Sequence, residues 1–248
     1  MDEPLPALES PPQASPPAMS LAARLLNVFA IPGEVFAGVK AGRSSIGNWL
    51  VPALLSAVVG TLAAIAILSQ PVIQQQMREQ QAKLMAKQVQ AGTLTSAQAD
   101  QMLALVEKLM VPIAVIVTVV ASVVRVLWWA LVLRLLGQMF LKVKLGYSKM
   151  LEVAGLGTMI SVLGAIVTLL LTVKFGTFET PGLRFVVDDF EAARQSQLAL
   201  GAATAFSFWL AGVMSVGLAR LGDVPFLRAA WLVFAYWVLQ ETLLGSLF

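Results

Sequence analysis

Apolar residues in this chain gather into long, nearly unbroken runs. They do not alternate as in a half-buried strand, nor recur every third or fourth position on a polar background as in a surface helix. A bilayer core about 30 Å thick needs roughly 20 apolar residues per helical crossing. Five stretches reach that length: residues 49–68, 111–136, 151–173, 198–218 and 226–247. Trp49, Trp128, Trp129, Trp231 and Tyr236 suit interfacial or packing roles in them. The pattern predicts an all-α, polytopic membrane protein, a bundle of about five transmembrane helices over residues 45–248.

Three regions depart from that pattern. Residues 1–20 are acidic and rich in proline, which reads as a disordered tail. They lack the basic segment and apolar core of a signal peptide. Residues 21–44 are apolar but broken at Pro32-Gly33 into pieces too short to span. Leu25, Leu26, Phe29, Val35 and Phe36 suit an amphipathic segment lying in the interface. A sixth span is the competing reading, disfavoured by the break and by Arg24, Glu34 and Lys40. Residues 70–110 form a polar insert between the first two spans. Helix formers run up to Gly92, a natural stop, and Thr95 with Gln98 has the spacing of a capping box. A helical hairpin outside the membrane is expected, with its second helix from Ser96 to about Leu109. Its plain reading is a solvated connector.

Composition narrows the chemistry. Of 248 residues, 58% are hydrophobic and 12% charged, too few charges to clothe a soluble fold. Mean hydropathy is +0.81. The absence of Cys excludes disulfides and thiolate chemistry, and the absence of His excludes the Ser-His-Asp triad and the HExxH zinc site. No phosphate-binding GxxxxGK[ST] loop is present, and the Gly-rich GLGTMISVLGA lies in a span. No enzyme, cofactor or metal is therefore expected. Basic residues are spread along the chain, so no nucleic-acid partner is expected either. Lys142, Lys144 and Lys149, Arg220 and Arg228, and Arg24, Lys40 and Arg43 all fall on one side of a five-span chain. Cytoplasmic loops carry such an excess, so the N-terminus is placed in the cytoplasm.

Charges inside spans are costly, so each is a functional candidate. Arg125 lies mid-way along the second span and Glu241 in the outer half of the fifth, at depths that differ by roughly 6 Å at 1.5 Å per residue. A structural ion pair is favoured over a proton relay. Arg134 and Glu152, near the cytoplasmic edge, either pair or snorkel. Small residues at four-residue spacing, Gly157, Ser161 and Ala165, then Ala203, Ser207, Ala211, Ser215 and Ala219, predict close helix packing rather than a substrate groove. Asp188, Asp189 and Glu191 read as a helix start rather than a metal site.

Several landmarks together resemble the Yip family of Ypt/Rab-interacting membrane proteins, in its prokaryotic branch. LLNVFAIPGEVFAGVK, with Pro32, Glu34 and Phe36, is similar to the family's opening pattern. GNWLVPALL is similar to its approach to the first span, and KLGYSKM, with Gly146 and Tyr147, to the stretch before the third. Trp209 and Gly217 match its closing pair of spans. Gly157, Thr158 and Met159 stand where many members carry Pro. The resemblance implies five spans and a cytoplasmic N-terminus. Binding of Rab-type GTPases by eukaryotic members is not carried over, since their long N-terminal region is here a short proline-rich tail.

Two functions follow as expectations. The first is a non-enzymatic scaffold or interaction protein of a bacterial inner membrane, contacting lipid and either membrane-protein partners or itself. The alternative is a small transporter or permease component, supported by Arg125, Glu152, Glu241 and the Gly-rich third span.

Overall fold

A computed structural model describes residues 19–175 and 205–247. Within them the chain forms eight helices: α1 (Leu21–Asn27), α2 (Pro32–Ala41), α3 (Gly47–Leu68), α4 (Pro71–Gln90), α5 (Ser96–Met139), α6 (Tyr147–Phe175), α7 (Ala205–Gly222) and α8 (Phe226–Leu247). The fold is all-α, as the hydropathy pattern predicts. Four helices, α3, α5, α6 and α7, are long and apolar enough to cross a bilayer. The apolar stretch Phe226–Gln240 of α8 is a shorter fifth. The chain is a multi-pass membrane protein.

Local chemistry sets the helix ends. Ser20 Oγ accepts from the Ala23 amide at 3.2 Å and caps α1. Pro32 and Pro71 open α2 and α4, where a missing N–H costs nothing. At the end of α4, Gly92 takes φ +70°, so the Gly92 amide reaches the Val89 carbonyl and the Thr93 amide that of Gln88. Thr95 and Gln98 form the expected capping box at the start of α5. In contrast to the expectation, α5 does not stop near Leu109. It runs on through Pro112 for 44 residues, about 66 Å, so the outer hairpin helix and the second span are one rod. No cap or glycine interrupts the stretch, and apolar residues simply replace polar ones along it.

The helix α6 is the centre. Of its apolar window 67% is buried, against 17% for α3 and 11% for α5. Exposed Leu54, Val58 and Leu62 on α3, and Ile116, Val120 and Val124 on α5, face outward where lipid lies. Helices α1 and α2 form an arm that packs into the bundle, with Val28, Val35, Phe36 and Val39 fully or almost fully buried. The arm, the α5–α6 connection and the α7–α8 turn meet at one end of the bundle. The α4–α5 hairpin extends from the other.

Candidate functional site

The end of the bundle that carries the arm concentrates the polar chemistry. Glu152, in the second turn of α6, is almost fully buried. Its Oε2 accepts from Nδ2 of Asn48, itself buried at the start of α3. Its Oε1 lies 3.5 Å from Lys149 Nζ, one turn earlier on α6. Lys149 Nζ also donates to the backbone carbonyls of Val39 at 2.6 Å and Gly42 at 2.8 Å. Those carbonyls lie at the end of α2, where a helix has no donors of its own left to satisfy them. One carboxylate and one ammonium thus join α2, α3 and α6. Of the two readings for Glu152, pairing with Arg134 or snorkelling, the structure shows neither: Glu152 is buried and its partners are Asn48 and Lys149. The i, i+3 spacing of Lys149 and Glu152 was the available signal. Asn48 had none, because its role depends on where α3 crosses α6.

That crossing is close. A β-carbon on Gly155 would stand 2.2 Å from Trp49 Cα and 2.8 Å from the Asn48 carbonyl oxygen. Pro52 has no N–H to offer the Asn48 carbonyl, and this oxygen lies against the glycine face of α6. A second tie holds the arm to α7: Lys40 pairs with Asp223, which ends α7 in a left-handed conformation with φ 51°.

The motif positions assemble mostly around the arm. Pro32 opens α2, and Glu34 occupies its first turn. Phe36 packs against Gly217 of α7. Trp209 of α7 meets Phe29 edge-on at 5.9 Å and stacks with Phe206 at 6.3 Å. The Gly146 carbonyl accepts from the Lys149 and Met150 amides and so starts α6. Tyr147 reaches across to α5, donating to the Leu127 carbonyl at 3.2 Å.

A family model for the Yip1 domain matches residues 26–247. The chain belongs to the Yip family. No curated protein and no solved structure matches significantly. The match to the Yip1 domain takes in the arm from Leu26 onward together with all the spans, so the arm belongs to the domain rather than to a preceding tail.

The polar groups of the spans lie elsewhere. Trp128 Nε1 on α5 donates to Tyr236 Oη on α8 at 2.6 Å, and Trp129 meets the Tyr236 ring edge-on at 5.5 Å. Arg125 is exposed, one turn from Trp128. Gln240, one turn from Tyr236, has a buried Oε1 with no hydrogen-bond partner among the described residues. The Glu241 side chain lies outside the described residues, as do Asp188, Asp189, Glu191 and Ala203. In the small-residue ladder of α7, Ala211, Ser215 and Ala219 are buried. Ser215 Oγ donates back to the Ala211 carbonyl at 2.7 Å, and Thr158 of α6 does the same to Ala154 at 2.8 Å.

Proposed function

We propose that this Yip-family protein is a non-enzymatic scaffold of the membrane, whose α4–α5 hairpin receives a protein partner beyond the bilayer. The observation that carries this reading is the hairpin's projection. The helix α4 is 20 residues, about 30 Å, and α5 exceeds a bilayer by a similar length. The hairpin is held by capping, by the Arg78–Glu107 pair at 2.7 Å, and by continuity with two spans. Leu84, Met102, Leu105 and Leu109 remain exposed along it. Within the bundle, by contrast, Asn48, Lys149 and Glu152 are engaged in joining helices.

The cations Arg24, Lys40, Arg43, Lys142, Lys144, Lys149, Arg220 and Arg228 fall at the arm end, against Glu34, Glu152 and Asp223. This asymmetry supports a cytoplasmic arm and N-terminus, with the hairpin on the opposite side of a bacterial inner membrane. A photo-crosslinking residue at Leu105 in native membranes tests the scaffold. Discrete adducts with a protein are expected, and their absence at Leu84, Leu105 and Leu109 alike would count against it.

The second reading, a small transporter, draws on Arg125 and Gln240. Reconstitution with a solute-flux screen tests it, and flux abolished by Arg125→Leu would replace the scaffold.

A further inference from the structure

In a soluble protein, the burial of Val35, Phe36 and Val39 would by itself fix α2 in place. A membrane changes that balance. Lipid tails are as apolar as a protein core, so an apolar face gains little by leaving lipid for a bundle. At the edge of a bilayer, the polar ties of the arm therefore decide where it rests. Among the described residues the bundle offers two such ties. Lys40–Asp223 is solvent-exposed, with side-chain exposures of 40% and 80%, and exposed pairs contribute little. The Lys149–Glu152 pair is shielded, with exposures of 24% and 1%; Glu152 Oε1 holds Lys149 as an ion pair without a hydrogen bond, and Lys149 Nζ donates two hydrogen bonds to the end of α2.

We infer that Lys149 and Glu152 form a latch that holds the α1–α2 arm against the bundle, and that opening it releases the arm as an amphipathic helix pair onto an anionic lipid surface. Three further features fit this. The connection from α2 to α3 is only residues 42–46, so a released arm stays at the same bilayer surface. Leu26 and Ile46 already face outward there, 70% and 68% exposed. Arg24, Lys40 and Arg43 against Glu34 give the arm the cationic character that anionic headgroups attract. The latch is also built so that one change opens it. Glu152 without Lys149 is an uncompensated buried charge, and Lys149 without Glu152 loses the countercharge that orients it on Val39 and Gly42. The inference rests on the proposed placement of the arm at the cytoplasmic face of the bilayer, and not on the hairpin as a partner site.

The chain has no cysteine, so spin labels go only where cysteines are introduced. Leu26→Cys with Leu227→Cys reports arm against bundle, and Met139→Cys with Leu227→Cys reports the bundle alone; all three sites are exposed. Pulsed electron–electron distance measurements on the full chain are made in phosphatidylcholine vesicles, with and without phosphatidylglycerol. The unsubstituted latch should give one short arm distance. Lys149→Met and Glu152→Gln should each add a longer one, raising the ratio of released to docked arm about tenfold, the effect of losing a charge-assisted bond. Phosphatidylglycerol should increase the longer component, while the bundle pair stays unchanged. No longer distance in either variant would overturn the latch. So would a bundle pair that broadens alongside the arm pair, which would make Lys149 and Glu152 general supports of the fold. A longer component indifferent to phosphatidylglycerol would overturn the lipid docking.

Discussion

The ring of Phe36 closes on Gly217, with Cε2 only 3.3 Å from where a β-carbon at that glycine would stand. From α6, Val153 Cγ1 comes to 2.2 Å of the same point. Helices α2, α6 and α7 thus meet at a spot that has room for no side chain. Glycine at such a point lets backbones approach, which is how helices associate in lipid. Gly217→Ala forces both Val153 and Phe36 aside. Overpacking of this kind costs about 1–3 kcal/mol, so thermal unfolding in detergent should begin at a lower temperature. An unchanged midpoint would mean that the three helices separate there more easily than their packing implies.

Not every glycine should respond in this way. At Gly155 the obstacles are Trp49 Cα and the Asn48 carbonyl, backbone atoms that cannot turn away. Gly155→Ala should therefore cost more than Gly217→Ala, where the obstacles are side chains. Gly212, also within α7, has nothing within 4 Å of its β-position. There alanine improves helix propensity by up to about 1 kcal/mol, so Gly212→Ala should be neutral or stabilising. The order of the three midpoints is the measurement, and a Gly212 variant as weak as the Gly155 variant would refute this account.

Much of this fold is legible in the sequence because lipid imposes a simple rule. Runs of apolar residues must be helices, and Gly92, Thr95 and Gln98 mark the ends of the outer hairpin in the chain's own chemistry. The length of α5 was not legible. Nothing near Leu109 or Pro112 says whether a helix ends or merely passes from water into lipid, and a proline near a junction suits either outcome. The arm was half legible. Its break at Pro32 and its apolar face can be read from residues, but a face suited to lipid is equally suited to a membrane protein's interior, so the burial of Phe36 required the fold. The partners of Glu152 were hidden for a related reason: Asn48 is 104 residues away and becomes adjacent only through the α3–α6 crossing.

Lys142 follows the end of α5 with φ 57°, a left-handed conformation that a residue with a β-carbon adopts at a cost. Its side chain is exposed. Glycine takes this conformation freely, so Lys142→Gly should stabilise the fold by about 0.5–1 kcal/mol, offset in part by a more flexible unfolded chain. Asp223 shares the conformation but also pairs with Lys40, so Asp223→Gly should gain less. Unfolding midpoints for the two variants, compared at low and high salt, separate the contributions. Salt should narrow the gap between them by screening the Lys40–Asp223 pair.

The Trp128–Tyr236 hydrogen bond fixes how α5 and α8 lie side by side, and that bears on Arg125 and Glu241. The two helices run antiparallel. Arg125 lies three residues from Trp128 and Glu241 five from Tyr236, toward the same face of the bilayer, displacements of about 4.5 Å and about 7.5 Å. The axial difference is about 3 Å, half the offset estimated from span ends alone. An arginine at this depth without a counterion is costly, and so is a lone carboxylate. Arg125→Leu alone should therefore destabilise the protein more than the double change Arg125→Leu with Glu241→Leu, with a coupling of roughly 0.5–3 kcal/mol in a double-mutant cycle. Additive single changes would show that the two charges do not meet. Trp128→Phe supplies an independent check. It removes the bond that aligns the helices while leaving both charges in place, so the coupling between Arg125 and Glu241 should shrink in that background.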